Sequence, residues 1–313
     1  MDVDVSEVKV DIQFERFEEK LATATSPEDL YRINRELMES GGELYEFYVY
    51  DILSSALPTD DSIGHYLWYF QSDKYIQKIN EDIAVEFSDI SALEDQITDM
   101  FRHLKYHVPS ATVPGKVVTY NSAFRYGVVS TPEMIGIGLD MYLGEDNRNV
   151  EMIGFPAYMK AKMDRQYLPV DIAHSWLITN VMNEGGGETF LSNMIYYGKL
   201  RYLIDAMMPD LEDHLKMRYT KDEYEFALAS EWDVWQYLVD MDWIYTSELK
   251  VLMRFFEEAP TTVGIEGSPA RIGQFMGWRI VRQYMEKNPE VTVEQLLKEE
   301  KESVILKAYK PIK

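Results

Sequence analysis

Between Lys116 and Gly138 the chain changes texture, and that change restricts its fold more than any other feature. Lys116-Val117-Val118-Thr119-Tyr120, Tyr126-Gly127-Val128-Val129 and Met134-Ile135-Gly136-Ile137-Gly138 are short, β-favouring and punctuated by glycine and proline. Runs of that length and make-up read as strands. On either side the apolar residues recur every three or four positions, as on a helix with one face turned to a core. Ile90, Leu93, Ile97, Phe101 and Leu104 keep that spacing and stop before Pro109. Leu228, Trp232, Trp235 and Val239 keep it again, as do Ile272, Met276, Ile280 and Tyr284. The alternation from Val8 to Phe14 predicts one further, half-buried strand. The expected fold class is therefore α+β, mostly helical with a small central β-sheet.

Helix boundaries follow from local chemistry. Ser26-Pro27-Glu28-Asp29 offers a capping hydroxyl, a proline at the first helical position and carboxylates at the positive helix end. Gly41-Gly42 is expected to end that helix and start another over Glu43 to Ser55. Ser268-Pro269 is expected to open the last long helix by the same logic, with Pro289 following its end. No repeat period or low-complexity linker divides the 313 residues. A single domain over 1–313 is expected, with an N-terminal strand and helices (1–110), a sheet region (111–150) and a helical part (151–313).

Charge narrows the function. Lys and Arg number 31 against 54 Asp and Glu, a net charge of −23 that repels nucleic-acid phosphates and anionic lipid headgroups. No nucleic-acid partner is expected. No window holds the about 18 uncharged apolar residues a bilayer crossing needs. With no cysteine, the chain has no disulfide, thiolate nucleophile or thiolate metal site. Met1-Asp2-Val3-Asp4-Val5 has neither the basic region nor the apolar core of a signal peptide. The expectation is either a cytoplasmic protein or a mature chain whose export signal has been trimmed.

Spacing offers several candidate sites, each weighed against a plainer role. His103 and His107 are one helical turn apart, the spacing of zinc-binding H-E-x-x-H, but Leu104 occupies the place of the catalytic glutamate. They read instead as cations near a helix C-terminus. Asp140 to Glu151 has the length of a calcium loop, yet Tyr142, Gly144 and Glu145 stand where oxygen ligands and the glycine belong. Gly185-Gly186-Gly187 lacks a following Lys-Ser/Thr and is flanked by Glu184 and Glu188, so it reads as a helix–helix connection, not a phosphate loop. Gly273 and Gly277 mark a helix face that another element approaches closely. No G-x-S-x-G nucleophile elbow is present.

Six blocks, in order along nearly the whole chain, carry a resemblance. They are Val5-Ser6…Val10-Asp11…Glu15-Arg16-Phe17, Gly138-Leu139-Asp140-Met141-Tyr142-Leu143-Gly144, Met194-Ile195-Tyr196-Tyr197-Gly198-Lys199, Glu231-Trp232-Asp233-Val234-Trp235, Ser268 through Val281, and Tyr309-Lys310-Pro311. Together they resemble the gliding motility lipoprotein GldB family of Bacteroidetes-type bacteria. The resemblance implies a cell-envelope lipoprotein, anchored through a lipidated cysteine removed from this chain with its signal, on the periplasmic side of the outer membrane. It implies contact with the membrane only through that anchor, and envelope proteins of the gliding or secretion machinery as partners.

That family is in turn similar to predicted zinc-dependent peptidases with H-E-x-x-H on one helix and an acidic ligand before a glycine on the next. On the matching helix, expected over Asp171 to Asn183, His174 corresponds to the first histidine. Ser175 stands in place of the glutamate, Ile178 in place of the second histidine, and Tyr197 before Gly198 in place of the acidic ligand. A catalytic zinc needs three protein ligands and a base for its water, which this set does not supply. Flanked by Leu177, Ile178 and Val181, His174 reads as an interior residue. The resemblance thus implies a degenerate zincin-like fold, no enzymatic activity, no cofactor and no metal. The old cleft would survive as an interaction surface lined by Asp140, Tyr142, His174, Tyr197, Lys199, Arg271 and Trp278. The alternative is a hydrolase, acting on peptides or glycans through paired carboxylates such as Asp140 and Asp171 or through residual metal chemistry. A third reading, a sugar-binding module, rests on the exposed fraction of the 22 tyrosines and six tryptophans.

Overall fold

The computed structural model describes residues 3–182 and 185–312. The chain packs as two compact units, each assembled from separate stretches of sequence. Val10–Thr98 and Val113–Asn180 form a sheet unit; Met1–Lys9, Asp99–Thr112 and Val181–Lys313 form a helical unit.

The sheet unit runs β1 (Gln13–Arg16), α1 (Phe17–Ala22), α2 (Pro27–Phe47), α3 (Ile63–Ser72), α4 (Lys74–Glu86) and the first turns of α5 (Ser91–His107). After these come β2 (Lys116–Tyr120), β3 (Val128–Ser130), β4 (Met134–Gly138), α6 (Arg148–Met152), α7 (Ala157–Lys160) and α8 (Leu168–Asn180). The four strands order as β1-β2-β4-β3, parallel at the first two junctions and antiparallel at the last. β2 and β4 form where the sequence places them, while β3, expected over Tyr126–Val129, starts two residues later. The N-terminal strand is displaced as well: expected over 8–14, it forms only from Gln13, which pairs with Lys116 and donates its amide to Gly115. Pro114 lies just beyond, and a proline has no N–H to extend the ladder.

Val118 and Tyr120 share one sheet face, and there the apolar sides of α1, α2 and α3 close through Phe17, Leu30, Ile33, Leu37, Tyr45, Tyr48 and Leu67. Tyr48 stacks on Tyr120 with ring centroids 4.7 Å apart. Ser26 caps α2 as its sequence predicts, its hydroxyl accepting the Asp29 amide at 3.2 Å. Gly42, at φ 50 and ψ −135, breaks α2 into two helical pieces. The second piece passes into a π turn over Tyr48–Ile52 instead of continuing to Ser55.

The helical unit comprises α9 (Phe190–Met207), α10 (Asp213–Lys216), α11 (Lys221–Ala229), α12 (Glu231–Asp240), α13 (Leu249–Phe256), α14 (Ile272–Lys287), α15 (Val293–Lys298) and α16 (Glu302–Leu306). Gly185-Gly186-Gly187 belongs to the connection between α8 and α9; Asn183 and Glu184, also read from the sequence, lie outside the described residues. The α9–α14 pair is the centre of the unit. Gly198 and Gly277 let the two backbones touch: a Cβ on Gly277 would lie 1.9 Å from the Met194 carbonyl oxygen, and one on Gly198 2.3 Å from the Gly277 carbonyl oxygen. The close approach inferred from Gly273 and Gly277 is thus present, with Gly273 against the Phe256 ring.

Two helical expectations fail here for identifiable reasons. Leu228, Trp232, Trp235 and Val239 do not form one buried stripe: the inward face lies one residue earlier at each step, at Ala227, Glu231, Val234 and Leu238, and that spacing runs unbroken past the junction at Ser230. The Ser230 hydroxyl donates back to the Phe226 carbonyl at 2.7 Å. The buried positions of α12 are Glu231, Val234 and Leu238, while Leu228 and Val239 are exposed. Nor does Ser268-Pro269 cap α14. The buried Ser268 hydroxyl donates to the Pro269 carbonyl, and the helix starts three residues later, after Arg271 in the left-handed region at φ 58.

Candidate functional site

The seven residues singled out from the sequence divide between the units. Asp140, Tyr142 and His174 belong to the sheet unit; Tyr197, Lys199, Arg271 and Trp278 belong to the helical unit.

Asp140 follows β4 and is fully buried. Its carboxylate accepts the Ser122 amide at 2.7 Å, the Ser122 hydroxyl at 2.8 Å and the Phe124 amide. These donors come from a tight turn in which Ala123 and Phe124 both have positive φ. A buried carboxylate ringed by amides can hold such a turn where no glycine is available. Burial nonetheless dominates its ionisation and pushes the carboxyl up to about 6, the Ser122 and Phe124 amides opposing the rise. Tyr142, also buried, donates its hydroxyl to Asp171 on α8 at 2.8 Å. His174 lies three residues further along α8, half-buried. The structure therefore brings Tyr142, Asp171 and the face bearing His174 together. Ser175 shares a hydroxyl hydrogen bond of 2.8 Å with Ser130 on β3, and Ile178 is 39% exposed.

In the helical unit each candidate has structural work. Tyr197 stacks on Phe256, centroids 5.6 Å apart, and burial pushes its hydroxyl pKa up. Lys199 donates to the Glu299 carbonyl at 2.7 Å, placing a cation on the negative end of α15, while burial lowers its pKa. Arg271 donates to the Met217 carbonyl at 3.1 Å, with its Nε 3.2 Å from the Glu258 carboxylate. Those contacts hold its left-handed backbone. Trp278 is fully buried and donates its indole N–H to Asp205 at 2.7 Å.

Asp205 leads to the arrangement that sequence reading missed. It is 2% exposed and accepts two bonds of 2.7 Å from Arg282, whose guanidinium lies 3.7 Å from the Trp278 ring centroid. The same guanidinium reaches Asp213 at 2.6 and 2.8 Å, and Lys216 lies 3.3 Å from Asp205 and 3.6 Å from Asp213. Two carboxylates and two cations balance, so the cluster is neutral and joins α9, α10 and α14. Hydrogen bonding to both carboxylates outweighs burial and raises the Arg282 pKa further. A second clamp centres on Glu231, 1% exposed, which accepts Arg279 at 2.7 Å and the Tyr309 hydroxyl at 3.0 Å. Trp278 and Arg282 at i, i+4 share a helix face, the one sequence signal for the first clamp.

Elsewhere, His103 is buried with Nδ1 3.0 Å from the Asp99 carbonyl oxygen of its own helix, and α5 ends at His107 as the helix-end reading requires. Burial, then His103, lowers the His107 pKa, which disfavours the cationic form expected at this helix end. Among the described residues no group of three or more His, Asp or Glu is arranged to hold a metal ion, and no helix is long and apolar enough to cross a membrane.

The six blocks now have places in the fold. The Met194–Lys199 and Ser268–Val281 blocks meet at Gly198 and Gly277. Arg279 of the long block and Tyr309 of the last meet at Glu231, which opens the fourth. Asp140 of the second holds the turn after β2. No curated protein and no solved structure matches the chain significantly. A family model described as gliding motility protein GldB matches residues 1–311, so the match spans all of these joints, and the chain belongs to the gliding motility protein GldB family.

Proposed function

We propose that this protein is a non-enzymatic lipoprotein of the cell envelope, held at the outer membrane by a lipid anchor on the periplasmic side, that supports gliding or an associated secretion process by binding other envelope proteins. The observation that carries the reading is the chemistry of α8. There His174 has neither the glutamate nor the second histidine that a zinc peptidase needs; Ser175 is engaged with Ser130 and Ile178 is 39% exposed. The helix reads as a relic of an H-E-x-x-H element whose metal chemistry has been lost.

The hydrolase alternative needs Asp140 to meet a substrate. Its carboxylate is fully buried and surrounded by protein donors, which favours a structural role. Partner binding must then use other surfaces than the buried members of the seven, Asp140 and Trp278 above all. Metal analysis by plasma mass spectrometry, on protein purified without chelator from zinc-supplemented growth, tests the non-enzymatic reading. The expected result is far below one zinc per chain; about one per chain, the stoichiometry of a catalytic site, would restore the peptidase reading.

A further inference from the structure

A cavity of about 420 Å³ in the sheet unit has the composition of a carbohydrate site. Trp68, Gln71, Ser72, Gln77, Asn80 and Glu81 line it beside an apolar stretch at the end of α1. Two helices build its polar walls by the same spacing. Trp68, Gln71 and Ser72 are at i, i+3 and i+4 on α3, and Gln77, Asn80 and Glu81 are at i, i+3 and i+4 on α4. Asp73 fixes the corner between them, its side chain accepting the Tyr75 amide at 2.8 Å and the Ile76 amide at 3.2 Å. The end of α1 and the residues after it supply the apolar part.

The amides are ordered in advance. Asn121 takes the Ala123 amide at 2.9 Å on its oxygen and donates its own NH₂ to the Asn80 oxygen at 2.8 Å. Asn80 in turn donates to the Gln71 oxygen at 3.3 Å. That chain sets which end of each amide is donor and which acceptor, and it does not use the Gln71 NH₂. Trp68 is half-buried: it packs in part against the core of α1–α3 and in part lines the cavity.

We propose that this cavity binds a neutral oligosaccharide. A pyranose presents C–H groups on one face and vicinal hydroxyls at its edge. An indole face covers the first, and amides with a carboxylate take the second as paired donors and acceptors. No lining residue carries positive charge, and Glu81 is an acid, so phosphorylated and other anionic ligands are disfavoured. This site is independent of the partner-binding reading of the whole protein.

The test is an array of neutral hexose and N-acetylhexosamine oligosaccharides probed with the full chain, followed by calorimetry on the glycan retained best. Gln77 and Glu81 are exposed helix positions, so Gln77→Ala and Glu81→Ala leave the core intact. Each is expected to weaken binding about ten-fold, the effect of losing one well-placed hydrogen bond. Trp68→Phe, which keeps a ring, is expected to weaken it by a smaller factor. Retention of no neutral glycan, retention of anionic glycans alone, or affinity unchanged in both Gln77→Ala and Glu81→Ala would overturn the proposal.

Discussion

Asp140 shows how one side chain can look catalytic and act structurally. Its carboxyl, pushed up to about 6 by burial, resembles a tuned acid, but its oxygens are committed to the turn at Ser122–Phe124. The consequence is a pH dependence of stability. Because the folded pKa lies above the usual carboxylate value, the folded state holds this proton more tightly than the unfolded state. Stability from this group is complete below about pH 4 and is lost as pH rises through about 6, on the order of 3 kcal/mol across the window. Urea unfolding between pH 4 and 7 should show that loss in the native chain and not in Asp140→Asn. The variant should itself be less stable by about 1–3 kcal/mol, since its NH₂ must face an amide donor. Arg282 behaves as the opposite case, a cation fully matched by Asp205 and Asp213. Arg282→Ala leaves Asp205, 2% exposed, with only Lys216 as a cation and should cost about 3–5 kcal/mol in denaturant unfolding.

At the scale of elements, the joint between α9 and α14 sets the helical unit. Gly277→Ala would drive a methyl group into the Met194 carbonyl oxygen, backbone against backbone, and should cost about 3 kcal/mol or more in thermal or urea unfolding. The α14 side of that joint was legible in the sequence, from small residues at i and i+4 of a helix; its partner, Gly198 on α9, was not. The Ser26 cap and the strands β2 and β4 were legible too, all set by neighbours in the chain. What was not legible depends on distant partners. The start of α14 is displaced from Ser268 because Arg271 is held by Met217, 54 residues away. The Asp205–Arg282 clamp joins residues 77 apart, and no local pattern announces it. The stripe drawn through Leu228 and Val239 lies one residue off the buried face at Ala227, Glu231, Val234 and Leu238, because both sets keep helical spacing and only the packing against distant partners decides which turns inward.

For the whole molecule, the family blocks identify how the chain folds more directly than where it acts. Gly198, Glu231, Arg279, Trp278 and Tyr309 carry the resemblance and meet as interior joints, so a substitution among them should act through stability before it touches any partner. The candidate cleft was legible only as a list of residues. Burial divides that list into structural members such as Asp140 and Trp278 and the half-buried His174, which sequence spacing alone does not distinguish. The central claim, that the protein acts by binding and without catalysis, is tested most directly by genetic complementation. In the bacterium that carries the protein, the gene is deleted and the resulting phenotype is scored after rescue with the native chain or with Asp140→Asn, which removes the carboxylate the hydrolase alternative needs and is too deeply buried to meet a partner. Circular dichroism on the purified variant confirms that it is folded. The account predicts full rescue by the folded Asp140→Asn variant; a folded variant that fails to rescue would contradict it and return this carboxylate to a catalytic role.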